Sequence, residues 1–236
     1  MNYLNLVPIF RSMMSLGAAL LLSMLLSACS VNIGGDDIEI ADEGDLEDLQ
    51  AREYDFTGFT NIEIDSSAQL IFTQADDYSV ILLTEEDHFD NLILELDGDT
   101  LVLDHDGRHR GERHVRLEIR APNLESVEVD GALDGRFENL SLDALTIEVS
   151  GAINLEMEGT CNQVEFYIHG AGNIEARGFE CKNVLIEMAG AGHAELYASG
   201  EIEIEITGVG HVEVWGGPIV RRQEIFGIGS VDIKGQ

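Results

Sequence analysis

From residue 127 to residue 233 apolar and polar residues alternate along the chain, and the alternation is broken at near-constant intervals by a glycine. Gly131, Gly151, Gly170, Gly190, Gly208 and Gly227 are separated by 20, 19, 20, 18 and 19 residues. Windows such as IEVSGAINLEM, IEMAGAGHAEL and IEITGVGHVEV read as an alternating run, a small-residue corner and a second alternating run. A period of two is the signature of a strand with one buried face. Each copy is therefore predicted to be strand, turn, strand. Two strands this short cannot bury their apolar face alone, so the copies must stack on one another and share a core.

Columns read across the copies support the stacking. Two residues before each corner glycine stand Val129, Val149, Ile168, Met188, Ile206 and Ile225; four residues after it stand Gly135, Leu155, Ile174, Ala194, Val212 and Val231. Flanking columns through Ile147, Phe166 and Ile204, and through Phe137, Met157 and Leu196, are apolar as well. These are predicted to face inward, and the intervening residues, mostly Glu, to face solvent. A repeat this long, with no room for a helix, predicts an all-β, single-stranded parallel (right-handed) β-helix with rungs of 18–20 residues, stacked at the strand spacing of about 4.8 Å. The competing architecture is a pair of packed antiparallel sheets made of hairpins. At the corner, glycine is expected because a sharp turn between strands favours positive φ.

Residues 54–121 carry ordinary strand patterning, and the first run aligns with the later copies: Ile62-Glu63-Ile64, a small corner at Ser66-Ser67-Ala68, then Leu70-Ile71-Phe72. The strands that follow are expected to shield an end of the stack. Ahead of them lies the acidic stretch GGDDIEIADEGDLEDLQARE, without an aromatic residue until Tyr54. It reads as a solvated tether. Residues 1–28 have one basic residue, Arg11, and an apolar run that ends at Leu26-Ser27-Ala28-Cys29. That is a secretory signal, and its end resembles a bacterial lipobox. The resemblance implies cleavage before Cys29, acylation of Cys29 and a membrane anchor that does not span the bilayer. Ser30 in the next position, in place of an Asp, favours the outer membrane. The expected division is a signal peptide at 1–28, a lipidated Cys and tether at 29–52, and a folded domain at 53–236.

Charge narrows the partners. With 45 acidic and 13 basic residues the net charge is −32, which argues against nucleic acid. The acid is also ordered: Glu128, Glu148, Glu187, Glu205 and Glu224 share one column, and Glu156, Glu175, Glu195, Glu213 and Asp232 another. Like charges stacked at strand spacing repel by about 1 kcal/mol per pair in a water-like dielectric. Splayed, solvated side chains relieve this, and charge reversal at Glu205 is then tolerated; the sharper alternative is Ca²⁺ held at Glu187 and Glu205. A third column reads Asp134, Asn154, Asn173, His193, His211 and Ser230. Stacked polar groups at a turn hydrogen-bond from copy to copy. His193 and His211 are also candidate ligands for a transition metal, with no third ligand identifiable.

The basic cluster is confined to LDHDGRHRGERHVRLEIR, with Arg108, Arg110, Arg113, Arg116 and Arg120. It reads as a hairpin tip, or as a patch for an anionic polymer, a lipid headgroup or the tether itself. Beyond Cys29 the cysteines are Cys161 and Cys181, placed on successive copies where they are either bridged or two buried thiols. The sequence has no G-x-S-x-G, P-loop or H-E-x-x-H motif.

The succession FTGFTNIEIDSSAQLIFTQ, DGDTLVL, RAPNLESVEVDGA and then GAGNIEA, GAGHAEL and GVGHVEV resembles the putative autotransporter adhesin head domain, or head GIN domain, over about residues 53–236. The resemblance implies a β-helical fold and an adhesive role, and it supplies no catalytic residues. Leu133 and Ile153 replace the second corner glycine, so the first two turns are expected to differ. The expected function is a lipid-anchored surface or envelope module that binds a glycan or protein and catalyses nothing. The runners-up are a carbohydrate-active enzyme and a structural, stress-related envelope component.

Overall fold

The computed structural model describes residues 49–106 and 114–235. Nine strands occur in it: β1 (Gln50–Tyr54), β2 (Asn61–Ile64), β3 (Ser67–Gln74), β4 (Ser79–Thr84), β5 (Leu92–Asp97), β6 (Thr100–His105), β7 (Arg116–Ala121), β8 (Ser126–Trp215) and β9 (Ile219–Ile233). Among the described residues the sole helical element is a 3-10 turn at Phe89–Asn91. The described residues form an all-β fold. Its strands form one mixed sheet in the order β1-β4-β7-β3-β8-β2-β6-β5, with β9 also paired to β8.

β8 stays extended over 90 residues, far beyond the usual strand of about 5–6 residues. It does so by bending at the corner glycines, whose φ lies between 129° and 151°. The conformation is one constraint and the stacking is a second. A Cβ at Gly151 would collide with the carbonyl oxygen of Gly131, one at Gly170 with that of Gly151, and so on to Gly227 over Gly208. Successive corners thus sit directly on one another.

The first copy joins in the register expected from its pattern. Ile62 and Ile64 of β2 pair in parallel with Val127 and Val129, and Leu70 and Phe72 of β3 with Gly135 and Phe137. At the far end Ile206, Val212 and Val214 pair with Ile225, Val231 and Ile233 of β9. The inward columns are buried from Val127 through Val214. A further inward set closes each copy, including Leu140, Leu145, Cys161, Val164, Phe179, Val184 and Ile202. The strand-turn-strand description of a copy overlooked it.

Uniformly parallel pairing does not hold. β1 and β4, β4 and β7, and β5 and β6 are antiparallel. The cause is local at β5 and β6, which are joined through Gly98 with φ 65°, a two-residue connection that returns the chain on itself. β1 takes in Gln50–Arg52, residues assigned to the tether by their polarity. The turns at Gly131 and Gly151 do not differ from later ones: their φ values are 151° and 147°, and Leu133 and Ile153 point into the core.

Candidate functional site

Alternation that buries one side of each copy fixes what the other side displays. Three outward columns follow the corner glycines, and they run side by side because they occupy alternate residues of the same strands. In the first, Asn154 Nδ2 donates to Asp134 Oδ1 at 2.9 Å and Asn173 Nδ2 donates to Asn154 Oδ1 at 2.9 Å. The imidazoles of His193 and His211 continue it, stacked with centroids 5.4 Å apart and planes inclined by 14°. Ser230 ends it, its Oγ 2.7 Å from His211 Nδ1.

The second column is acidic and is answered by cations at both ends. Arg136 Nη2 lies 2.8 Å from Glu156 Oε2. His193 Nε2 lies 3.6 Å from Glu195 Oε1, and His211 Nε2 lies 3.1 Å from Glu213 Oε1 and 3.8 Å from Asp232 Oδ2. Lys234 Nζ approaches Glu213 at 3.5 Å. The hydrogen bond from His211, with the nearby Lys234 charge, holds the Glu213 carboxyl below the ordinary range against the opposing effect of desolvation. The third column carries Arg177, Tyr197 and Trp215, with the Arg177 guanidinium carbon 4.5 Å from the Trp215 ring centre.

On the strand before the corner, the column of Glu128 to Glu224 is relieved by protein groups. Arg222 Nη2 lies 3.1 Å from Glu187 Oε1 and 2.9 Å from Glu205 Oε2. Arg222 Nε lies 3.7 Å from Glu203 Oε2, and Arg221 pairs with Glu201. The two arginines reach different carboxylates because the β8–β9 register shifts between Ile202 and Glu203. The alternative Ca²⁺ position at Glu187 and Glu205 therefore already has a resident cation, Arg222. Arg222 was missed in the sequence, although it stands two residues from Glu224 on the same outward face. Where no arginine intervenes, repulsion shows: burial and the charges of Asp65, Glu128, Asp104 and Asp97 raise the Glu63 carboxyl. Tyr167 interrupts the acidic column, and its hydroxyl donates to Glu165 at 2.9 Å. That bond, burial, and the charges of Glu165, Glu187 and Glu148 raise the phenol.

The remaining sequence candidates are scattered. Cys161 and Cys181 are joined in a disulfide with Cα atoms 4.5 Å apart. Cys29 and the signal segment, and Arg108, Arg110 and Arg113 of the basic cluster, lie outside the described residues. Arg116 is engaged with Glu118 at 2.9 Å and Arg120 with Asp77 at 2.9 Å, so two of that cluster's charges are spent within the fold. A depression lined by Ile71, Thr73, Ile81 and Arg120 holds about 140 Å³, below the roughly 300–1,000 Å³ of ordinary small-molecule sites. No described helix is long and apolar enough to cross a membrane.

The family described as "Putative auto-transporter adhesin, head GIN domain" matches residues 58–218. The chain belongs to that family. Among solved structures, a putative adhesin from Bacteroides fragilis has TM-score 0.64 at 18% identity, covering 80% of this head GIN chain and 98% of the other. That likeness shows a shared fold. A putative lipid binding protein from Parabacteroides distasonis has TM-score 0.49 at 17% identity, covering 80% and 97% of the two chains. A putative adhesin from Parabacteroides merdae has TM-score 0.47 at 16% identity, with the same coverages of 80% and 97%. Comparison with curated proteins yields no match.

Proposed function

We propose that this head GIN protein is an exported, lipid-anchored envelope module that presents a rigid surface to an external glycan or protein and performs no catalysis. In this reading its repeats wind as a right-handed β-helix, Cys29 carries the lipid, and the anchor lies in the outer membrane. Residues 29–49 tether the fold to it.

The observation that carries the reading is the outward face of the later repeats. There Arg177, Tyr197 and Trp215 stand beside the histidine and carboxylate columns on a backbone locked by stacked corners. Trp, Tyr and Arg are the residue types that dominate binding surfaces, and large rings on a rigid frame lose little freedom when a ligand packs on them. Family membership supports a role in attachment.

The test is a glycan and envelope-protein binding screen with the purified protein, repeated with Trp215→Ala. Loss of a hit in Trp215→Ala, with the melting temperature retained, supports the reading. Release of shortened glycan products by the unaltered protein sinks it in favour of the enzyme. For the anchor, labelled palmitate entering a Cys29→Ser protein overturns acylation at Cys29.

A further inference from the structure

We infer that His211, Glu213 and Asp232 form a binding site for one divalent transition-metal ion, of the zinc type. The inference is independent of the glycan or protein ligand proposed above. Among the described residues these are the group of three whose ligand atoms all lie within 4.8 Å of one another. Two of the separations, 3.1 Å from His211 Nε2 to Glu213 Oε1 and 3.8 Å to Asp232 Oδ2, are close to those set by a shared ion with bonds of about 2.0–2.2 Å. Small side-chain rotations complete the fit.

The orientation of His211 is the second observation. Its Nδ1 is held at 2.7 Å by Ser230 Oγ on the next copy. In the ion-free protein Nε2–H donates to Glu213. Ser230 Oγ, able to accept from Nδ1–H, lets the ring carry its proton on Nδ1 when a metal takes the Nε2 lone pair, the role that neighbouring groups commonly play for a metal-binding imidazole. His193, stacked flat on His211, restricts the ring further. One imidazole and two carboxylates suit zinc better than calcium, which prefers oxygen alone. Three protein ligands leave a coordination position open to solvent or to a ligand group.

Lys234 is the competitor. Its ammonium lies 3.5 Å from Glu213 and 4.0 Å from Asp232, so it neutralises the pair of carboxylates until a metal displaces it. Its side chain is 41% exposed and free to move outward. Its removal is therefore expected to strengthen metal binding, whereas a purely structural His211–Glu213 ion pair predicts no such gain.

The experiment uses the full chain without a polyhistidine tag, stripped with chelator, titrated at pH 7.5 with ZnCl₂ by calorimetry and with CoCl₂ by visible absorption. The expected result is one ion per chain, with binding weakened at least about tenfold in His211→Gln and in Asp232→Asn, and about tenfold in Ser230→Ala. Lys234→Met binds more tightly than the unaltered protein. Circular dichroism of the metal-free variants checks that the fold is kept, and Asp232, the most exposed ligand, serves if His211→Gln is damaged. Absence of binding, or binding unchanged in both His211→Gln and Asp232→Asn, overturns the site.

Discussion

The guanidinium of Arg222 meets the carboxylate of Glu205 at 2.9 Å, and the same nitrogen reaches Glu187 at 3.1 Å. One arginine on the last strand thus ties together two members of an acidic column from two earlier copies. Sequence alone left that column with solvent or calcium.

Arg222→Gln is expected to lower stability by roughly 1 kcal/mol, since the groups are only partly shielded from water, and to make the unfolding midpoint more sensitive to salt. In the unaltered protein, millimolar Ca²⁺ should add nothing beyond NaCl of matched ionic strength. A Ca²⁺ increment that persists in high NaCl and vanishes in Glu187→Gln would reverse this assignment. Glu205→Lys, tolerable on an open ladder, is now expected to destabilise because it sets a lysine against Arg222.

Glu63 supplies the contrasting case, paired in register with Glu128. Its folded pKa is raised by burial and neighbouring carboxylates, so the ionised form opposes folding. That penalty is absent below the unfolded pKa, develops as pH rises through the folded value, and is complete above it. Glu63→Gln should therefore raise the melting temperature at neutral pH, with the gain disappearing in acid. Melting curves at several pH values check the sign.

Gly151→Ala places a Cβ against the carbonyl of Gly131 at φ 147°. A loss of more than about 2 kcal/mol is expected. Gly217→Ala, at φ 68° with nothing near its Cβ, should cost about 1 kcal/mol. Denaturant unfolding that ranks them the other way would contradict the stacked corners.

Cys161 and Cys181 close a loop with a sequence separation of 20. Replacing both by Ala should lower stability by about 2–4 kcal/mol, from loop-closure entropy returned to the unfolded chain. Reductant should have the same effect on the unaltered protein and none on the double variant.

The repeated copies were legible because their causes are local. Alternation is a property of any strand, so Val129, Ile168, Val212 and their columns declared the buried side without knowledge of the partner strand. The corner glycines were legible for the same reason, since positive φ penalises any Cβ. β5 and β6 carried their antiparallel turn in Asp97-Gly98-Asp99, a local cue that the repeat pattern overshadowed. β1 had no such cue: Gln50-Ala51-Arg52 carries no large apolar side chain, and what makes it a strand is backbone pairing with β4.

What the sequence by itself determined is therefore the all-β repeat, its inward columns and the alignment of the first copy with the rest. The tertiary structure decided which outward groups meet. His211 and Asp232 are 21 residues apart in sequence and come together only through the β8–β9 register. Arg222 finds Glu203, Glu205 and Glu187 only because the shift between Ile202 and Glu203 accommodates Arg221 as an extra residue. In a strand, one added residue exchanges the two faces. A site built from neighbouring copies thus depends on each insertion in the pairing, and pairing is a relation between distant segments that no local pattern encodes.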